Sequence, residues 1–177
     1  MIRFLSLMCI LFCAAPLHAG TGSEAAWLKE IPLHKAIRIG TGRHVVIEVS
    51  DPDCRFSRRM AGYWNLRKDV TRYIFLVALK GHPEAPQKGR YILCAADQAT
   101  AYQKVFAGEL DFDEKVLDQP CDDKGLLEQH REIATHLGVI GTPTYFIKGV
   151  KVRGARVGEI ERLLGGEKIP FDAGDPE

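Results

Sequence analysis

Hydrophobic residues along this chain gather into short β-branched runs separated by stretches of helical spacing. His44 to Val49 is a nearly continuous apolar run, which suits a strand buried on both faces. Asp51-Pro52-Asp53 breaks it, and Asp53 or a neighbour is placed to cap a helix from near Cys54 to about Leu66. Tyr73 to Leu79 is a second run of strand formers, followed by a Gly/Pro-rich loop from Gly81 to Pro86. From about Lys88 to Ala107, Tyr91, Ile92, Cys94, Ala95, Ala99, Tyr102, Val105 and Phe106 keep helical spacing. Another helix is expected from Gly125 to Leu137, capped by Gly138. Thr144 to Ile147 and Val150 to Val152, separated by Lys148-Gly149, predict a hairpin with a tight turn. Val157 to Leu164 predicts a closing helix, and the Gly/Pro/Asp-rich tail beyond Gly165 is expected to fray. Between Ser23 and Ile39 the apolar spacing is roughly helical but broken by Pro32, so this segment is read as a lead-in helix or strand.

Strand, helix, strand, helices, hairpin and helix in that order describe an α/β layer architecture with a mixed sheet. Ahead of it, Arg3 and an apolar stretch from about Phe4 to Leu17 lead to Leu17-His18-Ala19 before Gly20. These are the parts of a secretory signal at residues 1–19, too short to span a bilayer and cut after Ala19. The remaining chain, about 158 residues, suits one domain with its own core. The chain holds 24 basic and 23 acidic residues, and Arg3 leaves with the signal, so the exported part is charge-balanced. Such a balance gives no electrostatic footprint for nucleic acid or an anionic membrane.

Export makes the cysteines informative. Cys9 and Cys13 lie within the signal, leaving Cys54, Cys94 and Cys121, and an odd number in an exported chain implies one pair and one leftover thiol. Cys54 follows a strand and opens a helix, where unpaired N–H groups and a partial positive charge bias a thiol toward thiolate. Arg55, Arg58 and Arg59 place further positive charge nearby, and Ser57, one turn on, is able to donate a hydrogen bond to a thiolate. Ser57 carries no sulfur, so a Cys-x-x-Ser site joins its thiol to another molecule and depends on an external thiol for release. Thr142-Pro143 stands directly before a strand, where a proline is a candidate for a cis peptide bond.

Other polar residues carry less. His130 and His136 are six apart and miss the i, i+4 spacing of helical metal ligands, and they and His82 are expected at the surface. No metal and no cofactor is implied. The chain has neither a Gly-rich phosphate loop nor a Gly-x-Ser-x-Gly elbow. Trp27 and Trp64 read as packing residues.

Three segments in order carry a family resemblance: Val46-Ile47-Glu48-Val49-Ser50-Asp51-Pro52-Asp53-Cys54, Tyr91-Ile92-Leu93-Cys94-Ala95-Ala96-Asp97, and Leu137-Gly138-Val139-Ile140-Gly141-Thr142-Pro143-Thr144. Together they resemble the catalytic domain of the DsbC/DsbG family of periplasmic disulfide isomerases, over about Arg43 to Leu164. The resemblance implies a thioredoxin-like domain over residues 44–165 with a helical insertion at about 84–137, after a lead-in at 20–43 and before a tail at 166–177. It implies Cys54 as nucleophile with Ser57 in place of the second cysteine, and Arg55, Phe56, Thr142 and Pro143 as the surface that meets substrate. It also implies a structural disulfide between Cys94 and Cys121, which leaves Cys54 as the unpaired thiol. The family's N-terminal dimerisation domain has no counterpart here, so a monomer is the default expectation. The expected activity is thiol–disulfide exchange of isomerase or reductase type in the periplasm, on cysteine-containing exported proteins, with a periplasmic or membrane thiol reductant as a further partner. The competing expectation is a non-catalytic thioredoxin-fold module for binding, chaperoning or assembly in an envelope, secretion or conjugative-transfer apparatus.

Overall fold

The computed structural model describes residues 30–166 and 168–171, so the segment read as a secretory signal, Trp27 and the last residues of the tail lie outside the described residues. A 3₁₀ turn at Leu33–Lys35 precedes β1 (Ile37–Ile39), β2 (His44–Ser50), α1 (Arg55–Leu66) and β3 (Val70–Leu76). Helices α2 (Ala85–Cys94), α3 (Gln98–Phe106), α4 (Glu114–Leu117) and α5 (Leu126–His136) follow, then β4 (Thr144–Ile147), β5 (Val150–Arg153) and α6 (Val157–Leu164). The five strands form one mixed sheet in the order β1-β3-β2-β4-β5, with β2 and β3 parallel and the other neighbours antiparallel.

Alternation along the central strands divides the core. Val46 of β2 faces Met60, Tyr63 and Trp64 of α1 and Ile160 and Leu164 of α6. Ile74 and Leu76 of β3, on that same face, pack with Ile92, Tyr102 and Val105 of the helical insertion. Ile47, Val49 and Phe75 point the other way, onto Ala134 of α5 and Ile31. The β2–β3 connection passes so close to the preceding turn that a Cβ on Gly42 would lie 2.0 Å from the Asp69 carbonyl carbon, a position only glycine fits. Lys148 and Gly149 both have positive φ, the combination of a two-residue hairpin turn of type I′.

Three expectations shift. The second strand runs from Val70 to Leu76 rather than from Tyr73 to Leu79. Its polar start, Thr71-Arg72, is drawn in because Arg72 pairs with the buried Glu48; its end comes early because Leu79 N–H turns to the Asp51 carboxylate. The single helix expected from Lys88 to Ala107 is two. Asp97 interrupts it and caps α3 by accepting the Thr100 N–H at 3.1 Å, while α2 begins earlier, at Ala85, with a proline in its first turn. His130 is not a surface histidine, and His82 is partly buried. His130 is fully buried, with Nδ1 accepting the Leu76 N–H at 3.0 Å and Nε2 facing Lys35 O at 2.8 Å, so it bolts α5 to the sheet and the 3₁₀ turn.

Candidate active site

Cys54 is the residue at which the chain leaves the turn after β2 and enters α1. Its backbone is extended (φ −74°, ψ 117°), its N–H bonds to Asp51 O at 3.1 Å, and its C=O accepts the Arg58 N–H at 3.0 Å. Cys54 is thus the N-cap itself, and no side chain caps this helix. Asp53, expected as a cap, is used elsewhere: its carboxylate pairs with Arg58 and with Lys88. Uncapped first-turn amides leave the positive end of a 12-residue helix at the sulfur.

Cys54 is 6 % exposed and its S–H donates to Thr142 O at 3.3 Å across 88 residues of sequence. That bond belongs to the protonated thiol; ionisation removes the donor. Thr142-Pro143 is a cis peptide bond, and through the Thr142 carbonyl the β4 entry loop stands against the thiol. Cys54, Thr142 and Pro143 are therefore gathered at one place from the start of α1 and the loop before β4. Among the described residues Cys54 is the free cysteine, and Cys94 and Cys121 form a disulfide with Cα atoms 6.1 Å apart, joining the end of α2 to the segment before α5. Ser57 is fully buried, and its Oγ accepts the Asp51 N–H at 3.5 Å. Arg55 is exposed with its guanidinium 4.6 Å from the centre of the Phe56 ring, and Phe56 is half-buried. Ile140, two residues before Thr142, is largely exposed.

Two sets of polar residues around Cys54 had no sequence signal beyond an acidic turn. The first centres on Asp51, which is fully buried. One carboxylate oxygen accepts the Asp53 N–H at 2.7 Å; the other accepts the Leu79 N–H at 2.6 Å and lies 2.9 Å from His82 Nδ1. Asp51 therefore ties the turn that delivers Cys54 to the loop that leaves β3. The second is an ionic cluster. Arg58 donates to Pro52 O and to both carboxylate oxygens of Asp111, and it reaches Asp53 at 3.2 Å. Lys88, almost wholly buried, reaches Asp53 at 2.6 Å, Glu84 at 2.8 Å and Asp111 at 2.9 Å. Hydrogen bonds from Arg58, against the opposing pull of burial, hold the Asp111 carboxyl down at about 2. Arg58 was expected to lend positive charge to the thiol; instead two carboxylates claim it. Asp111 and Lys88 come from the insertion, 53 and 30 residues beyond Arg58, which is why no local pattern announces the cluster.

A cleft of about 600 Å³ lies elsewhere, beside the Cys94–Cys121 disulfide, lined by Gln87, Arg90, Tyr91 and Leu117. The free thiol among the described residues, Cys54, lies outside that lining. Among the described residues no group of three or more metal-binding side chains gathers, and no helix is long and apolar enough to cross a membrane.

Strand order, the helix beginning at a cysteine and the cis-proline loop facing it define a thioredoxin-like fold with a helical insertion between β3 and β4. Solved structures share it. A disulfide interchange protein from Neisseria gonorrhoeae is 28 % identical over 75 % of this chain and 96 % of its own, with a TM-score of 0.62. The catalytic domain of Proteus mirabilis ScsC is 18 % identical over 80 % of this chain and 96 % of its own, with a TM-score of 0.62. A periplasmic thioredoxin-like protein from Salmonella enterica serovar Typhimurium is 17 % identical over 80 % of this chain and 93 % of its own, with a TM-score of 0.51. The latter two likenesses speak for the fold alone. No protein-family model matches the chain, and no curated protein matches it by sequence.

Proposed function

We propose that this protein carries out thiol–disulfide exchange through Cys54 as its single nucleophile. The observation that carries the reading is the placement of Cys54, the free thiol among the described residues, at the uncapped start of α1, 3.3 Å from the carbonyl of Thr142 in the cis Thr142-Pro143 bond. The likeness to a disulfide interchange protein supports it. The Cys54 thiolate attacks one sulfur of a substrate disulfide; a Cys54–substrate disulfide forms and the other substrate sulfur leaves as a thiolate. A second thiolate, from the same substrate or from an external reductant, then attacks the mixed disulfide and restores Cys54. Attack by a substrate thiolate reshuffles with no net redox change, as an isomerase does. Attack by an external dithiol leaves the substrate reduced. The resemblance of three segments to DsbC/DsbG favours the isomerase or reductase direction, and Ser57 in place of a second cysteine removes internal release.

Thr142 and Pro143 would present backbone to an extended substrate, with Arg55 and Phe56 on the opposite rim. The partners are cysteine-containing exported proteins met in the periplasm after cleavage of the signal at residues 1–19. Reduced protein mixed with disulfide-containing periplasmic extract, quenched with acid and run without reductant, is expected to show mixed disulfides that a Cys54→Ala variant lacks. A wild-type protein that captures nothing sinks the proposal. The near-complete burial of Cys54 favours a second reading, a binding module that keeps the fold for its peptide surface. Under that reading a non-covalent pull-down is unchanged by Cys54→Ala and no covalent adduct forms.

A further inference from the structure

The ionic cluster beside the thiol is assembled across the fold rather than along the chain. Arg58 sits one turn beyond Cys54 on α1, and its guanidinium forms a two-pronged pair with Asp111, which belongs to the loop between α3 and α4. Asp111 is itself held by Lys88 from α2 at 2.9 Å, and a Cβ on Gly108 would lie 3.1 Å from Asp111 Oδ2, so the loop packs closely around its own carboxylate. Around this point stand two cations, Arg58 and Lys88, and three carboxylates, Asp53, Asp111 and Glu84. The net charge of the group is negative, at the end of a helix whose dipole favours an anion.

We propose that Asp111 is a positioning residue that restrains the reactivity of Cys54 by claiming the charge of Arg58. The inference rests on the reading of Cys54 as the reacting thiol. It differs from a scaffolding role in one respect: the same bond removed from its two ends has opposite effects. Asp111→Asn leaves the Arg58 charge less compensated, stabilises the Cys54 thiolate and speeds its reactions. Arg58→Gln leaves Asp53 and Asp111 less compensated and slows them. A nearby charge screened by an effective dielectric of about 20 to 40, with the partial loss of nucleophilicity that accompanies a more stable thiolate, changes the rate roughly two- to fivefold in each direction. If the pair only braced the Pro52–Cys54 turn, both variants would loosen it alike and shift the rate the same way.

The second-order rate of Cys54 alkylation by iodoacetamide at pH 7 and low salt, followed by intact mass, reads this directly. The expected result is a faster Asp111→Asn, a slower Arg58→Gln, and recovery of the wild-type rate in Asp111→Glu. Shifts of the same sign in both variants, or a rate unmoved in both, overturn the inference. Should one variant fail to fold by circular dichroism, the sign for the other decides. Alkylation needs no disulfide partner, so a protein that shows the opposite shifts yet captures no substrate loses the exchange reading and keeps this one. A protein that captures substrate while both variants shift together loses this one alone.

Discussion

Replacing Glu48 with Met should remove a large part of the stability of this domain. Glu48 is fully buried on β2, and Arg72 on β3 is 2 % exposed. In the parallel register Val46 lies opposite Arg72 and Glu48 opposite Ile74, so the two charged side chains are diagonal neighbours on one face. Arg72 donates to Glu48 Oε2 at 2.9 Å, Tyr102 OH donates to Glu48 Oε1 at 3.2 Å, and the guanidinium lies 5.8 Å and 5.3 Å from the ring centres of Trp64 and Tyr102. Met in place of Glu48 fills similar volume but strands the guanidinium in the core, with Tyr102 OH at 3.4 Å as a remaining neutral neighbour. Breaking a buried pair from one side costs about 3–5 kcal/mol, against a total of about 5–15 kcal/mol for a domain. At an urea slope of about 2 kcal/mol per molar, the unfolding midpoint falls by roughly 1.5–2.5 M, and the melting temperature by about 6–20 °C. Replacing both residues by Met removes the stranded charge, so the double variant should be more stable than Glu48→Met alone. A loss below about 1 kcal/mol in the single variant, or a double variant that loses the sum of the two singles, would refute the reasoning.

Three other outcomes follow from named contacts. Replacing both Cys94 and Cys121 with Ser opens a loop set by a separation of 27 residues and should cost about 3–4 kcal/mol in the chain-entropy account; a melting temperature lowered by less than 2 °C would contradict it. Burial lowers the His130 pKa in the fold, so the unfolded chain binds that proton more readily: this stability is complete above about pH 6.5 and is lost as pH falls toward the folded value. Urea midpoints at pH 7.5 and 5.5 should therefore differ in the wild type and differ less in His130→Gln, where His44, also lowered by burial, keeps a dependence of the same sign; this window lies well above the one near pH 2 to 4 in which Asp111 contributes. Ser57→Cys restores a second sulfur one helical turn from Cys54; on mild oxidation it should lose about 2 Da without dimerising and should hold fewer mixed disulfides than wild type, and an unchanged mass would count against it.

Much of the architecture was legible because it depends on local rules. Apolar runs bounded by Pro and Gly marked β2, α1, the β4–β5 hairpin and α6, and Lys148-Gly149 named its own turn. Where polar residues entered a strand or a cap entered a helix, local reading slipped. Arg72 looked too polar for β3 until Glu48 was beside it, and Asp97 looked like one more residue of a helix that it in fact restarts. His130 seemed a surface side chain since its two partners, Leu76 N–H and Lys35 O, are 54 and 95 residues away.

The candidate site divides along the same line. Sequence alone marked the candidate nucleophile, a cysteine between a strand and a helix with serine where a second sulfur would stand, because that depends on residues adjacent in the chain. It also marked the Thr142-Pro143 loop before a strand. Only the tertiary structure decided what surrounds the sulfur: the carbonyl of Thr142 at 3.3 Å, the buried Asp51 that ties its turn to the loop after β3, and the carboxylate of Asp111 that takes up Arg58. The physical reason is range. Helix ends and turns are set by hydrogen bonds a few residues long, whereas the field at a buried sulfur is the sum of charges that folding carries in from distant segments.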